Sequence, residues 1–333
     1  MNKAKSLIKY ILIFGFGIFI IWWIGKDLTD EQKTLFYSSL KEANLWFILP
    51  ISLLALLSHF LRAKRWGLML HQMKYTPKTM NLFLVTLIGY LANLGIPRLG
   101  EILKCTYLNK YEKIPADKLV GTIVVERIFD MVCFAAVFGL AILVEFKTVL
   151  HFINNGLFKN SGNSVSKLII LGFIALTGFL LLKYFFKKFP TNKFVIKANE
   201  ILKNIQAGLL SIINLKTRGL FLIYTICIWF LYWIQIYIGY QFLDSLSHLS
   251  IGSSFAVFAI STIAIAVTPG GIGLYQLFVM QVLLLYGISE SSGLAFGWIM
   301  WGLSTIILII SGLISLFVLP KVNKKINLQP QIL

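Results

Sequence analysis

One apolar segment of this chain is broken in its middle by Asn93-Leu94-Gly95-Ile96-Pro97-Arg98-Leu99-Gly100-Glu101. Proline lacks a backbone donor and glycine tolerates left-handed dihedral angles, so a helix does not run smoothly through this stretch. The limb that follows the break, 98–109, is too short and too polar to cross a lipid bilayer by itself. We therefore predict that 80–109 is a re-entrant helical hairpin, which enters and leaves the membrane on the same side.

A second apolar segment, about 250–287, carries a comparable break at Thr268-Pro269-Gly270-Gly271-Ile272-Gly273-Leu274-Tyr275-Gln276. Unwound backbone inside a bilayer is tolerated only where protein or a water-filled cavity satisfies its polar groups. Paired interruptions in corresponding places are therefore the best sequence indicator of a transporter's substrate site. By analogy with the first segment we favour a second hairpin, although two full crossings also fit. The residues predicted to form the two breaks, or hinges, are Asn93, Pro97, Gly100, Pro269, Gly270, Gly271 and Gly273.

The composition indicates an integral membrane protein. Of the 333 residues, 58% are hydrophobic and only 13% are charged, and the mean hydropathy is +0.81. The net charge of +18 does not predict nucleic-acid binding, because the basic residues lie in the loops between apolar segments rather than in one patch. The three cysteines and four histidines are scattered without the spacing of a metal site or a disulfide framework, so neither a metal nor another cofactor is expected.

Six further segments have the length of about 20 apolar residues that a bilayer requires. They are 7–25, 45–66, 118–145, 167–186, 219–243 and 292–319. Together with the two hairpins they predict an all-α polytopic membrane protein of one domain, 1–333, with halves of approximately 1–145 and 146–320. Because one hairpin follows the second span and the other follows the fifth, we expect the halves to be inverted, an arrangement typical of alternating access.

The loop charges predict the orientation of the chain. Twenty-two Lys or Arg residues lie on one side, when 62–78 is counted as a loop, and six lie on the other. This bias places both termini in the cytoplasm, because cytoplasmic loops carry the excess of basic residues. We expect a multi-pass protein of a bacterial-type plasma membrane, that is, an inner membrane.

Ionisable residues inside the apolar segments are costly, and here they occur in two groups. They are Arg98, Glu101, Lys104, Glu126, Arg127 and Asp130. The first three recur at three-residue spacing and line one side of the limb after the first break. Glu126 and Asp130 share a helix face, whereas Arg127 points about 100° away from Glu126 and has the spacing to pair with Asp130.

Three interpretations of these charges stay open from the sequence. In the first, Arg98 and Arg127 bind an anionic head group, since a guanidinium binds phosphate oxygens bidentately, and the carboxylates position them. In the second, Arg98–Glu101 and Arg127–Asp130 are ion pairs that hold the hairpin to the bundle. In the third, Glu126 or Asp130 relays the protons that drive transport.

The second break carries no charge, so it is either a hinge with exposed amides or a site of tight glycine packing. We favour the hinge, because Pro269 ends a helix that packing alone would leave intact. The residues predicted to bind substrate are Arg98, Glu101, Glu126, Arg127, Asp130 and Gln276.

At these motifs the sequence resembles the flippase-like transmembrane domain of lysylphosphatidylglycerol synthases. The resemblance rests on the two breaks together with Glu126, Arg127 and Asp130, in order and spacing, and it extends over roughly 5–320. It implies a membrane domain that handles lipids, since relatives are linked to flipping aminoacylated phosphatidylglycerol and others to hopanoid or polyprenyl-linked sugar lipids. The family commonly has Glu where this chain has Gln276. The full synthases also carry a soluble aminoacyl-transferase domain, which we do not expect here because the chain stops soon after its last span.

These observations predict a lipid transporter, or flippase, for an anionic or amphiphilic lipid such as a phospholipid, a hopanoid or a polyprenyl-linked lipid. Its expected partners are membrane lipids. The alternative is a membrane-embedded enzyme, or an accessory subunit of a separate lipid synthase or glycosyltransferase. The sequence shows no nucleotide-binding loop, nucleophile constellation or metal cluster, so no catalytic residue is predicted.

Overall fold

The structure, a computed structural model, describes residues 30–96, 98–146 and 216–323. Within those residues the chain is an all-α membrane protein, as predicted. Four of its helical stretches are long and apolar enough to cross a bilayer: Leu45–Gln72, Ala116–Val144, Arg218–Phe242 and Glu290–Val322. They match four of the six predicted spans, while 7–25 and 167–186 lie outside the described residues.

The described helices pack around two apolar clusters, one that contains Trp66 and one that contains Phe296. In chain order they are α1 (Asp30–Glu42), α2 (Ile48–Gln72), α3 (Thr79–Gly95), α4 (Leu99–Glu112), α5 (Ala116–Val144), α6 (Arg218–Gly239), α7 (Asp244–Ser247), α8 (Ile251–Val267), α9 (Leu274–Leu284) and α10 (Glu290–Val322). Short 3-10 turns occupy Leu45–Phe47, Tyr240–Phe242 and Pro269–Gly271.

Helices α3 and α4 form the first predicted hairpin. Glu112, the last residue of α4, accepts hydrogen bonds from the backbone N–H of Lys78 and from the side-chain amide of Asn81 at the start of α3, at 3.0 and 2.5 Å. Asn323, just after α10, joins the same group through two hydrogen bonds with Asn81, of 2.8 and 3.0 Å. The outer ends of the two limbs therefore meet at one end of the bundle, so the segment leaves from the side at which it enters.

The two limbs of this hairpin touch backbone to backbone at Gly89 and Gly100. A Cβ atom on Gly100 would overlap the carbonyl oxygen of Gly89, and a Cβ atom on Gly89 would lie 3.1 Å from the carbonyl oxygen of Gly100. Gly100 is an ordinary helical residue of α4 without a positive φ. The sequence predicted Gly100 for its tolerance of left-handed angles, and the structure assigns it to close packing instead.

The break between α3 and α4 is built from extended and left-handed backbone. Ile96 is extended, with a φ of −134°, and Arg98 is left-handed, with a φ of 69°, a conformation that costs a non-glycine residue about 1–2 kcal/mol. The side-chain oxygen of Asn93 accepts a 2.7 Å hydrogen bond from the N–H of Gly100 and so ties the limbs together across the break. Pro97 lies outside the described residues.

Helices α8 and α9 flank the second break, which depends on glycine. Helix α8 ends at Val267, and Pro269 begins the 3-10 turn that follows it. Gly270, Gly271 and Gly273 have φ values of 62°, 80° and 78°, a region that glycine adopts without the steric cost of a Cβ. The indole Nε1 of Trp301 in α10 donates a 2.7 Å hydrogen bond to the carbonyl of Gly270, so one backbone acceptor at the break is satisfied.

Helix α9 runs antiparallel to α10, and the two are in close contact. Cβ atoms built on Gly293 and Gly297 of α10 would lie 3.1 and 3.0 Å from the Cα atoms of Met280 and Gln276, respectively. Small residues at this four-residue spacing allow helix backbones to approach closely inside a membrane. Because the directions are opposed, α9 ends at the end of the bundle where α10 begins.

The second hairpin opens at the end of the bundle opposite to the first. Its limb α8 starts where α5 ends, because the carboxylate of Glu145 lies against Gly252. Its limb α9 leaves at that same end, so the segment is a hairpin rather than two crossings. The two tips approach each other, since a Cβ atom on Gly270 would lie 3.6 Å from Leu94 Cδ2. Within the described chain the hairpins are therefore oppositely oriented and meet at their broken ends.

Gly100→Ala should destabilise the protein by about 1–3 kcal/mol or more, because the added methyl group overlaps a backbone carbonyl that has no rotamer to change. Gly121→Ala is the matched control, since this glycine lies inside α5 with open space around it. Alanine there should be neutral or stabilising by up to about 1 kcal/mol. Thermal unfolding of the detergent-solubilised protein measures both changes, and equal stability of the two variants would contradict the close contact.

Candidate functional site

The candidate site is a buried cluster of charged side chains between α2, α4 and α5. Arg62 Nη1 lies 3.0 Å from a carboxylate oxygen of Glu126 and 2.6 Å from one of Asp130. Arg65 Nη2 lies 3.3 and 2.8 Å from oxygens of the same two residues. The arginines are spaced i, i+3 on α2 and the carboxylates i, i+4 on α5, so each pair shares one helix face. Packing those two faces together produces the four ion pairs.

Lys104 of α4 is the fifth member of this buried cluster. Its Nζ lies 3.4 Å from the second carboxylate oxygen of Glu126 and 4.3 Å from the centre of the Trp66 ring, a cation–π contact. Trp66 is held in turn by a 2.8 Å hydrogen bond from its Nε1 to the hydroxyl of Thr122 on α5. Lys104 therefore connects the second limb of the first hairpin to both long helices.

The cluster is almost completely shielded from solvent. The exposed fraction of the side chain is 0% for Arg65, 3% for Glu126, 9% for Lys104 and 13% for Asp130. Removing charges from water costs several kcal/mol per ion, and only close, hydrogen-bonded partners of opposite sign offset that cost. Three cations face two carboxylates, so the cluster has a formal charge of +1.

The other predicted charged residues lie outside this cluster. Arg127 points away from it and pairs with Glu101 at 2.9 Å, with the Arg127 side chain 44% exposed. The pairing of Arg127 with Asp130 is wrong, because Asp130 faces α2 whereas Arg127 faces α4. The pairing of Arg98 with Glu101 is likewise replaced by Arg127–Glu101, and Arg98 is exposed at the start of α4. An ion pair does hold the hairpin to α5, but its members differ from those expected.

Sequence reasoning missed Arg62 and Arg65, which it counted as loop residues. Both lie inside α2, which continues to Gln72, and both are buried. The signal was their i, i+3 spacing, which complements two carboxylates at i, i+4 in another apolar segment. Moving 62–65, which also contains Lys64, into the membrane leaves nineteen basic residues against six, so the bias that predicts cytoplasmic termini keeps its direction.

Uncharged polar groups extend the site along α2. The ring of His59, one turn before Arg62, contacts the ring of Tyr90 on α3 at a centroid distance of 4.7 Å. The phenols of Tyr90 and Tyr232 lie within electrostatic range of the Arg62 guanidinium. Nδ1 of His59 and Nε of both Arg62 and Arg65 are buried without a hydrogen-bond partner among the described residues. Unpaired buried polar atoms cost about 1–3 kcal/mol each, so a polar ligand is favoured here.

Gln276 makes no hydrogen bond to the charged cluster. It lies in the interface of α9 with α10 and is 1% exposed, and neither atom of its side-chain amide has a partner in the part of the chain that the structure describes. A contact between Gln276 and a substrate stays a prediction.

The chemistry available at the cluster is the binding of anions. Guanidinium groups present planar forks of N–H donors that match phosphate or carboxylate oxygens, and the Nε donors of Arg62 and Arg65 are unused. Across 30–96, 98–146 and 216–323, no group of three or more His, Cys, Asp or Glu side chains is arranged to hold a metal ion.

A family model described as "Lysylphosphatidylglycerol synthase TM region" matches residues 7–312. The chain belongs to this family. The matched range includes both breaks and every member of the buried cluster. Among curated proteins, the chain is 31% identical over 185 residues to the UPF0104 membrane protein MJ1595 of Methanocaldococcus jannaschii. That match covers 54% of this chain and 52% of the relative, so the chain spans about half the length of the relative. No solved structure matches this chain significantly.

Glu126→Gln should destabilise the protein by about 3–5 kcal/mol, because the buried Arg62 and Arg65 would then share a single carboxylate, that of Asp130. Glu101→Gln is the matched control. It makes the same chemical change in the partly exposed pair with Arg127, where the loss should be below about 1 kcal/mol. Thermal unfolding in detergent measures both, and similar losses would mean that the buried cluster does not hold α2 to α5.

Proposed function

We propose that this protein is a lipid transporter, or flippase, that moves an anionic or amphiphilic lipid between the leaflets of its membrane. The observation that carries the proposal is the buried cluster of net positive charge beside a broken hairpin. A cluster that only joined helices would have no need for more cations than carboxylates. An anion bound at the cluster would balance its extra positive charge. The chain belongs to a family named after lysylphosphatidylglycerol synthases, which favours a lipid as the source of that anion.

In this proposal, exposed and buried guanidinium groups contact the lipid head group in succession. Arg127 is 44% exposed at the rim of the cluster, and Arg98 is exposed at the break of the first hairpin. Inside the bundle, Arg62 and Arg65 keep Nε donors without acceptors. Together they provide phosphate-binding donors from the surface of the protein to its interior. Gln276, whose amide is unpartnered in the described chain, is a candidate contact near the second break.

The two hairpins supply the parts that move. They open at opposite ends of the described bundle and approach each other at Leu94 and Gly270. The tip of the second hairpin consists of glycines in left-handed conformations and is joined to α10 by the Trp301–Gly270 hydrogen bond. Opposed, discontinuous helices of this kind support alternating access. The charge bias supports cytoplasmic termini, and we propose a bacterial-type plasma membrane as the location of the protein.

Purified protein reconstituted into vesicles should exchange fluorescent phosphatidylglycerol between leaflets faster than protein-free vesicles do. Arg127→Gln should slow this exchange about tenfold, the effect of losing one charge-assisted hydrogen bond to the head group. Lys118→Gln is the matched control, because it removes a positive charge from the exposed start of the same helix and should leave the rate unchanged. Dithionite quenching of the outer-leaflet fluorophore measures the rate.

The same preparation distinguishes the alternatives. Unchanged exchange of phosphatidylglycerol, hopanoid and polyprenyl-linked lipids by protein of normal thermal stability would contradict transport. A chemically altered lipid product would indicate a membrane-embedded enzyme. Co-purification of a synthase or glycosyltransferase whose activity survives Arg127→Gln and Arg98→Gln would indicate an accessory subunit.

A further inference from the structure

The charge balance of the buried cluster leads to one further inference, which rests on the head-group site proposed above. Arg62, Arg65 and Lys104 face only Glu126 and Asp130, while Arg127 outside the cluster is matched by Glu101. Among the described residues, one positive charge is therefore uncompensated, in side chains that are at most 13% exposed. A lone charge in such surroundings is costly. Within the part of the chain that the structure describes, the cluster is balanced only if one cation loses its proton or one anion binds.

Lys104 is the cation that can lose its proton. Guanidinium groups stay protonated in proteins, whereas a buried lysine releases its proton more easily. Each arginine also has two carboxylate partners at 2.6–3.3 Å, but Lys104 has one, at 3.4 Å, and an aromatic ring. Its stem passes directly over Gly89, where a Cβ atom would lie 2.8 Å from Lys104 Cγ. The stem therefore packs between the limbs of the hairpin, and the Lys104 side chain is 9% exposed.

Charged and titratable groups from several helices lie around Lys104 and its neighbours. Those within electrostatic range of Lys104 are Arg62 on α2, Cys105 on α4, and Glu126 and Arg127 on α5. Next to members of that set lie His59 and Arg65 on α2, Tyr90 on α3, Glu101 on α4, Asp130 on α5 and Tyr232 on α6. Among the described residues, Glu126 is the one charged group that forms an ion pair with Lys104 Nζ. Because Glu126 also contacts both arginines, a change of charge at Lys104 acts on the whole cluster.

The cluster also retains donors for an anion of single charge. The Nε atoms of Arg62 and Arg65 have no acceptor among the described residues, and the ammonium of Lys104 has three N–H bonds but one carboxylate contact. Donors of this kind suit the oxygens of a phosphodiester. Its single negative charge equals the imbalance, whereas a doubly charged phosphate would exceed it.

We propose that the cluster binds a phosphodiester monoanion together with one proton, and that Lys104 carries this proton. Without the anion, Lys104 is a neutral amine and two arginines balance two carboxylates. With the anion, Lys104 is an ammonium, and three cations balance two carboxylates and one phosphodiester. Anion and proton enter and leave together, so a proton gradient across the membrane drives the movement of the lipid. Glu126 and Asp130 stay ionised throughout, because each is held by two guanidinium groups.

Proton uptake on anion binding tests this proposal. The probes are dimethyl phosphate, a free phosphodiester, and dihexanoylphosphatidylglycerol, which carries the same group on a lipid. Calorimetric titration of the full chain in detergent, repeated in buffers of different ionisation enthalpy, counts the protons taken up. We expect about one proton per bound anion in mildly alkaline solution, and a dissociation constant that rises about tenfold per pH unit there. Proton-linked binding of either probe supports the proposal, and the probe that binds identifies the source of the anion.

Lysine variants identify the group that carries the proton. Lys104→Arg keeps the positive charge but cannot release it, so this variant should bind the anion without proton uptake and with little dependence on pH. Lys104→Met removes the charge and should weaken binding about tenfold or more. Lys118→Arg is the matched control at an exposed lysine and should take up the same number of protons as the unaltered chain.

The proposal is overturned if the unaltered chain binds neither probe, binds without taking up a proton, or if uptake persists in Lys104→Arg. Where a variant fails to fold, the proton count of the unaltered chain still tests whether anion and proton bind together. Failure of the proposal for Lys104 can be told apart from failure of the transport proposal. Lipid exchange without proton linkage refutes only the role of Lys104, whereas proton-linked binding without exchange refutes transport.

Discussion

The contact of two arginines on α2 with two carboxylates on α5 is the constraint around which the first half of the described structure is arranged. A bilayer offers no water to an ionised group, so Glu126 and Asp130 are tolerable only where cations on a neighbouring helix face them. That requirement fixes the rotation of α2 and α5 about their axes. It also fixes the position of the first hairpin, because Lys104 of α4 completes the cluster.

Both breaks leave unwound backbone inside the membrane, and the two are stabilised differently. At the first, the Asn93 side chain accepts a hydrogen bond from an N–H at the start of α4, and a non-glycine residue, Arg98, takes the left-handed conformation. At the second, glycines take the left-handed conformations, and Trp301 of another helix satisfies a free carbonyl. The first break is therefore held within its own hairpin, while the second depends on contacts with α10.

Helix α4 contributes both to the packing of the first hairpin and to the proposed binding site. This short helix carries Glu101, which pairs with the exposed Arg127, and Lys104, which reaches the buried cluster. It is also the limb that contacts α3 at Gly89 and Gly100. A displacement of α4 would change the exposed pair and the buried cluster together. The geometry thus joins the first broken hairpin directly to the charges to which we attribute head-group binding.

The sequence by itself determined the class of protein, the four described spans, the position of both breaks and the shared face of Glu126 and Asp130, because hydrophobic length, proline, glycine and helical spacing are local properties. It did not determine the partners of those carboxylates, since pairing depends on which helix faces which. Only the tertiary structure shows that Arg62 and Arg65, which the sequence analysis counted as loop residues, belong to the cluster. It also turned Arg127 toward Glu101 and made Gly100 a packing residue, because these roles arise from atoms brought near by distant parts of the chain.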